Sequence, residues 1–121
     1  MFDGMCYIAS DTRATFAEAE MKCAEDGGTL ATVKGQQVQD FLIQLLSVSS
    51  KDVWIGLTDQ DVEGQFVWTD GTPLVYSNWS PGEPNGDDNT NCVHLWPLSN
   101  FRWDDMPCGR SNYFICQYNV A

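Results

Sequence analysis

The stretch of sequence on which the rest of the chain depends runs from residue 83 to residue 105 and reads EPNGDDNTNCVHLWPLSNFRWDD. It contains five carboxylates and a single basic residue, Arg102. Like charges at this density repel one another unless a counter-ion lies among them. Carboxylate and amide oxygens are the preferred ligands of hard cations such as Ca²⁺, which takes roughly six to eight of them. The stretch therefore predicts a cation-binding loop.

The composition is that of an acidic globular domain. Among the 121 residues, 6 are basic and 17 are acidic, which gives a formal net charge of -11, and 43% are hydrophobic. This length fits one domain, residues 1–121. Nucleic-acid binding depends on Lys and Arg contacts with phosphates, so the charge argues against it and against docking on anionic lipid. No stretch reaches the roughly twenty apolar residues of a membrane span, and we expect no membrane insertion.

Five cysteines in a chain of this size indicate disulfide bonds and an oxidising compartment. No apolar signal-peptide run follows Met1. We therefore expect an extracellular domain excised from a longer secreted or membrane-anchored protein. Four paired cysteines allow three connectivities, and the residues alone do not choose among them.

Hydrophobic spacing predicts two helices in the first half of the chain. Thr15 and Glu18 form a capping-box pattern at the start of the first helix, and Gly27 and Gly28 end it. The second helix follows Lys34–Gly35. Their apolar faces consist of Phe16, Ala19 and Cys23 in the first helix and Val38, Phe41, Leu42, Leu45 and Leu46 in the second.

Most of the predicted strands lie in the second half. The extended segments are Met5–Ala9, Thr29–Val33, Val53–Leu57, a hairpin of Phe66–Trp68 with Leu74–Tyr76, and closing strands at Val93–Trp96 and Tyr113–Tyr118. From Asn78 to Asn91 the chain is rich in Pro, Gly, Asn and Asp and has no periodicity. A loop this long in a compact domain is usually functional. The pattern predicts helices and strands with a long loop that leads into the acidic stretch.

A series of distinctive residues and short segments lies along the chain: Cys6–Tyr7, Cys23, Trp54–Leu57, Glu63–Phe66, Trp68, Asn78–Trp79, Glu83–Asn85, Cys92, Trp103–Asp105, Cys108 and Cys116. In this order they resemble the C-type lectin-like domain over essentially the whole sequence. The resemblance implies an α+β fold, with two helices packed on two small antiparallel sheets and a long calcium-binding loop. It also implies a disulfide-stapled binding module rather than an enzyme.

The resemblance implies that Cys23 pairs with Cys116 and that Cys92 pairs with Cys108. The first bond would close a loop of about ninety residues, worth roughly 4–5 kcal/mol in the chain-entropy model. The second would constrain the loop that carries the acidic cluster. Cys6 matches a family cysteine whose partner this sequence lacks, so we expect it to be unpaired or linked to another chain.

In this family a Glu-Pro-Asn segment and a Trp-Asn-Asp segment bind one calcium ion, and sugar hydroxyls complete its coordination. Glu83, Asn85 and Asp105 match those segments, while Asp104 stands where Asn is usual. With one backbone carbonyl they supply about five oxygens, which leaves two or three positions for a vicinal diol. Glu83, Asn85 and Asp104 are the expected sugar-binding residues. The resemblance also implies that the Glu83–Pro84 bond is cis, a form that about one X-Pro bond in twenty adopts.

Position 90 departs from the family pattern. Many members have a glutamate there, and this chain has Thr90. Asp104 keeps the ligand charge similar but turns an amide donor into a carboxylate acceptor. Thr90 and Asp88, and also Asp87 or Asn89, are candidate additional ligands.

An auxiliary calcium site of the family uses acids in the loop before the Glu-Gly-Gln-Phe segment. Asp59 and Glu63 match it, with Asp87 or Asp88 as plausible partners. Solvated loop acids are common, so these residues could equally have no ligand.

The leading prediction is calcium-dependent binding of mannose-type glycans, because Glu-Pro-Asn in this family accompanies mannose, fucose, glucose and N-acetylglucosamine. The alternative is a calcium-independent module for protein, lipid or a microbial cell-wall polymer, and Thr90 favours it. The only histidine, His94, is predicted to lie in a strand with a structural role. A single diol binds weakly, so oligomers or tandem domains are expected. Innate recognition of microbial surfaces is a role that the resemblance implies.

Overall fold

A computed structural model describes residues 4–47, 51–84 and 90–119. In these ranges the elements are, in chain order, β1 (Met5–Ala9), α1 (Phe16–Glu25), β2 (Thr29–Leu30), α2 (Gln36–Leu46), β3 (Val53–Thr58), β4 (Val67–Trp68), β5 (Cys92–Trp96), β6 (Arg102–Met106) and β7 (Tyr113–Asn119). A 3₁₀ helix, Pro97–Ser99, lies between β5 and β6. Neither α-helix of these ranges combines the length and hydrophobicity that a membrane crossing needs.

The strands lie in the order β1-β7-β3-β5-β6. β7 pairs antiparallel with β1 and β2, and β3 pairs antiparallel with β4 and β5. β3 and β7 run parallel where Val53 lies opposite Tyr113 and Trp54 opposite Phe114. A short parallel contact therefore joins two antiparallel groups of strands. The predicted α+β fold class is confirmed.

Local signals account for the start and the end of α1. The Thr15 hydroxyl accepts a hydrogen bond from the Glu18 amide at 3.3 Å, and the Glu18 carboxylate accepts one from the Thr15 amide at 3.0 Å. This is the predicted capping box, which satisfies two amide groups that a helix start leaves exposed. After the helix, a Cβ on Gly28 would lie 2.5 Å from the Gln117 carbonyl oxygen, so only glycine fits where the chain passes β7.

The disulfides tie this framework together. Cys23 in α1 is bonded to Cys116 in β7, and Cys92 in β5 is bonded to Cys108. Both pairings implied by the resemblance are therefore confirmed. Cys6 is free and half-buried in this structure.

The predicted apolar face of α2 needs one correction. Leu45 is 40% exposed, whereas Gln39 is fully buried. Gln39 donates to the Phe101 carbonyl oxygen at 2.9 Å and accepts from the Trp103 indole N–H at 2.9 Å. A buried amide whose hydrogen bonds are made is tolerated in a core, and this one links α2 to β6.

Two strand predictions also change. Leu74–Tyr76 does not form the second strand of a hairpin. β4 pairs instead with β3, and its pairing with the following chain is limited to a bridge from Val67 to Pro73, where the Trp68 amide donates to the Thr72 carbonyl oxygen at 3.0 Å. In contrast, Trp103–Asp105 lies inside a full strand, β6, which pairs with β5 over five residue pairs. Its two aspartates are weak strand formers, so its composition does not indicate a strand.

Candidate functional site

Three carboxylates from two parts of the chain converge at β6, the strand at one edge of the sheet. Glu83, Asp104 and Asp105 each offer an oxygen, and these oxygens lie within 4.8 Å of one another. Asp104 and Asp105 belong to β6, the last strand in the order. Glu83 comes from the loop after β4. No other metal-binding group of three or more Asp, Glu, His or Cys residues occurs in ranges 4–47, 51–84 and 90–119.

Backbone hydrogen bonds join the loop that contains Glu83 to β6. The Trp103 amide donates to the Asn78 carbonyl oxygen at 2.9 Å, and the Ser80 amide donates to the Trp103 carbonyl oxygen at 2.9 Å. The Glu83 amide then donates to the Ser80 carbonyl oxygen at 2.9 Å in a turn. Residues 78–80 thus run beside β6, and the turn after them brings Glu83 to the aspartates. The Glu83–Pro84 peptide bond is cis, as predicted.

The three carboxylates share an unfavourable electrostatic environment. Burial, a hydrogen bond with Asp105 and the charge of Asp104 raise the pKa of Glu83 to about 7. A hydrogen bond between two carboxyl groups needs a proton on one of them. Without a cation, the cluster therefore retains a proton near neutral pH.

Asp105 carries the observation that points most directly to a cation. Its side chain is 5% exposed, and its Oδ1 atom is buried without a hydrogen-bond partner in the described part of the chain. Its Oδ2 atom accepts a long hydrogen bond of 3.4 Å from the Thr90 hydroxyl. A buried carboxylate oxygen without a partner is costly, and a hard cation between the three carboxylates would satisfy it.

Asp104 has a partner that the sequence patterns do not predict. The Nε2 atom of His94 lies 2.8 Å from Asp104 Oδ2, and His94 is 2% exposed. The histidine was predicted to be a structural strand residue, and it does lie buried in β5. Its contact with a candidate ligand could have been found only by predicting β6 and its register, in which His94 lies opposite Asp104.

The remaining predicted ligands of the principal site divide into two groups. Thr90 lies beside Asp105, as the 3.4 Å hydrogen bond shows. Asn85, Asp87, Asp88 and Asn89 lie outside the described residues. The structure therefore brings together Glu83, Thr90, Asp104 and Asp105 from the predicted set.

The predicted auxiliary site has one strong candidate ligand. Asp59 is 2% exposed; its Oδ2 accepts from the Gly64 amide at 2.9 Å, and its Oδ1 is buried with no partner among the described residues. Glu63 is exposed and does not join Asp59 in a group of three candidate ligands within the described ranges. The other predicted partners, Asp87 and Asp88, lie outside those ranges, so the auxiliary site stays a prediction.

Comparison with known proteins places this arrangement in a family. The family model of the lectin C-type domain matches residues 12–118. The low affinity immunoglobulin epsilon Fc receptor of Mus musculus is 40% identical over 108 residues, which is 88% of this chain and 31% of the receptor. The chain thus spans less than a third of that relative's length.

Two solved structures are similar over nearly the whole chain. The cow C-type carbohydrate-recognition domain of CD23, in the presence of GlcNAc2Man3 oligosaccharide, is 34% identical with a TM-score of 0.89, covering 99% of this chain and 92% of that one. A calcium-independent type II antifreeze protein is 31% identical with a TM-score of 0.90, covering 98% and 89%. The chain belongs to the C-type lectin domain family of carbohydrate-recognition domains, whose members are binding proteins rather than enzymes.

Proposed function

We propose that this domain binds mannose-type glycans through a calcium ion held by Glu83, Asn85, Asp104 and Asp105. The observation that carries the proposal is the convergence of three carboxylates within 4.8 Å around a buried Asp105 oxygen that has no partner in the described residues. Three negative charges at this spacing are unfavourable unless protons or a cation compensate them. A doubly charged cation offsets more of that repulsion than a single retained proton.

The donor set fits calcium better than a transition metal. Each described ligand is a carboxylate oxygen, and hard cations prefer such oxygens, whereas Zn²⁺ sites usually contain Cys or His nitrogen and sulfur. Glu83, Asp104 and Asp105 are described, and Asn85 is the proposed amide ligand. When bound, calcium would offer its remaining coordination positions to two adjacent sugar hydroxyls.

The protein's own groups would then orient the sugar. Glu83 is the proposed acceptor for one hydroxyl hydrogen, and Asn85 is the proposed donor to a hydroxyl oxygen. A sugar hydroxyl that replaces a calcium-bound water supplies an equivalent oxygen ligand. The selectivity of the site therefore comes from the geometry of the two hydroxyls that Glu83 and Asn85 contact. The Glu-Pro-Asn motif favours mannose, fucose, glucose and N-acetylglucosamine over galactose. The similar CD23 domain was solved in the presence of an oligosaccharide that contains both GlcNAc and Man, which agrees with this preference.

A calcium-independent function is the second candidate, and two observations favour it. One of the similar structures is a calcium-independent antifreeze protein, so close resemblance of fold does not require the ion. In this chain, Thr90 replaces a carboxylate that many relatives use, and it offers Asp105 only a hydroxyl at 3.4 Å. Calcium dependence is therefore the property to measure first.

Thermal denaturation with and without calcium tests the proposal. Extracellular calcium modules have dissociation constants of about 10⁻⁴–10⁻³ M, so 10 mM calcium should stabilise the native state by roughly 1.4–2.7 kcal/mol. For a domain of this size we expect the melting temperature to rise by roughly 4–10 °C. Asp105→Asn should remove most of the rise, and the exposed carboxylate variant Asp11→Asn should keep it. A wild-type shift no larger than that in 10 mM MgCl₂ would contradict the proposal.

The wider setting follows from the same proposal. We propose an extracellular location, because the two disulfides need an oxidising environment. One exposed diol site gives weak binding, so several domains presented together would supply avidity towards a glycan-coated surface. Recognition of microbial surfaces is the role that we propose for such an assembly.

A further inference from the structure

His94 lies in the middle of a row of side chains that crosses three strands. In β5 it pairs with Trp54 of β3 on one side and with Asp104 of β6 on the other. Residues directly opposite one another on neighbouring strands place their side chains on the same face of the sheet. The row thus leads from the protein core to the candidate calcium site.

The ring of His94 is held in a fixed orientation. It packs edge-on against the indole of Trp54, with ring centroids 6.4 Å apart. Trp54 is itself fully buried, and its indole N–H donates to the Ala14 carbonyl oxygen at 3.0 Å. A side chain locked by packing in this way positions its hydrogen-bonding atoms accurately.

The chemistry of the pair assigns a direction to the hydrogen bond. An ionised carboxylate can only accept, so with Asp104 ionised we assign to His94 Nε2 the hydrogen that bonds Asp104 Oδ2 at 2.8 Å. The other ring nitrogen, Nδ1, lies 3.7 Å from an Asp52 oxygen, which is too long for a hydrogen bond. Among the residues that the structure describes, the imidazole therefore makes its one short polar contact with the candidate ligand.

We propose that His94 is a positioning residue for calcium, which holds one oxygen of Asp104 so that the other oxygen is presented to the ion. This inference rests on the proposed function and deepens it. Asp104 is 20% exposed on a strand at the end of the sheet order, where a short side chain would otherwise sample several rotamers. Hydrogen bonds from the protein to a metal ligand commonly change metal affinity by about 10–100-fold.

The pair also explains how an aspartate can serve where the family usually has asparagine. An asparagine presents one oxygen and one N–H₂ group, and only the oxygen can bind a cation. In Asp104, the His94 N–H occupies one oxygen and leaves a single oxygen for the ion. The hydrogen bond from His94 thereby stabilises part of the negative charge that Asp104 adds, and the second Asp104 oxygen remains available to the cation.

Two matched variants test the role of His94, with calcium affinity measured by isothermal titration calorimetry. His94→Gln keeps a side-chain N–H donor of similar reach, and His94→Leu removes it while filling a similar volume. We expect His94→Leu to bind calcium about tenfold or more weakly and His94→Gln to stay within about threefold of wild type. Melting temperatures in EDTA report the purely structural cost of each change.

The outcomes separate this inference from the proposed function. If the wild-type protein fails to bind calcium, the proposed function fails. If the wild type binds and His94→Leu binds within about twofold of it, or both variants lose affinity equally, only the positioning role is overturned.

A spectroscopic measurement on the wild type covers the case in which His94→Leu does not fold. The chain contains one histidine, so its imidazole ¹H–¹⁵N NMR signals are unambiguous. We expect a proton on Nε2 before and after calcium addition, with ring signals that shift in step with calcium saturation. An Nε2 atom that lacks a proton, or ring signals that stay fixed while calcium binds, would overturn the assignment.

Discussion

Replacing Glu83 with Gln should stabilise the calcium-free protein at pH 8 while weakening calcium binding. In the wild type, burial and the neighbouring Asp105 and Asp104 raise the pKa of Glu83 from 4.5 to about 7. The native state therefore keeps a proton that the unfolded chain has already released. The associated stability is complete below pH 4.5 and is lost as the pH rises through about 7. Glutamine is neutral throughout this window, so the variant should not show the loss.

The expected size of the effect follows from the spacing of the carboxylates. The ligand oxygens lie within 4.8 Å of one another. Two unit charges at about that separation repel by roughly 3 kcal/mol at an effective dielectric constant near 20. Solvent and salt screening around the partly exposed Glu83 reduce this to about 1 kcal/mol. In a domain of this size we expect a melting temperature about 3–5 °C higher for Glu83→Gln at pH 8.

Thermal melts in EDTA at pH 4, 5, 6, 7 and 8 measure this effect. The curves of melting temperature against pH should lie close together at pH 4 and separate between about pH 4.5 and pH 7, with the variant above the wild type at pH 7 and 8. Glu25→Gln, which changes an exposed carboxylate at the end of α1, is the control and should follow the wild type. Parallel curves, or a variant that melts lower than the wild type at pH 8, would refute the electrostatic reasoning. Calcium affinity of Glu83→Gln should fall by about tenfold, because one ligand charge is lost.

Three further predictions concern the framework and the pH range of binding. Removing the Cys92–Cys108 bond, which closes a loop of 16 residues, should cost about 3 kcal/mol of unfolding free energy in urea and weaken calcium binding; unchanged stability would contradict this. Gln39→Leu should cost about 2–3 kcal/mol in the same assay, because the Trp103 N–H and the Phe101 carbonyl lose their buried partner, whereas the exposed Gln44→Leu should cost under about 1 kcal/mol. Mannose binding at fixed calcium should weaken from pH 8 to pH 5 as Glu83 is protonated, and a flat profile would argue against its role as a ligand.

Features governed by neighbours in sequence were predictable. The capping box at Thr15 and Glu18 sets the start of α1 through contacts three residues apart. β1 was predicted with its observed bounds, Met5–Ala9. The disulfide pairing was different in kind, because four cysteines allow three connectivities and only the family resemblance selected the observed one.

Features governed by distant parts of the chain were not predictable. Gln39 can be buried because Phe101 and Trp103 supply its hydrogen-bond partners. These residues lie 62 and 64 positions further along the chain, so no helical pattern can reveal them. β6 was missed because its side chains include two aspartates, and its pairing with β5 supplies what its composition lacks. The contact between His94 and Asp104 depends on that same register, so it could not be predicted either.

The residues of the candidate site divide along the same line. Motif segments identified Glu83, Asp104 and Asp105, and the structure brings them together. The raised pKa of Glu83 and the buried Asp105 oxygen are consequences of packing, and no spacing rule predicts them. These two properties turn a sequence motif into a specific electrostatic argument for a bound cation.

A glycan array probed with this domain in 5 mM CaCl₂ and again in EDTA tests the central claim most directly. We predict signals on glycans that end in mannose, fucose, glucose or N-acetylglucosamine, and the loss of those signals in EDTA. Asp105→Asn should give the EDTA result even in calcium. Signals that persist in EDTA would contradict calcium-dependent binding, and signals dominated by galactosides would contradict the mannose-type assignment.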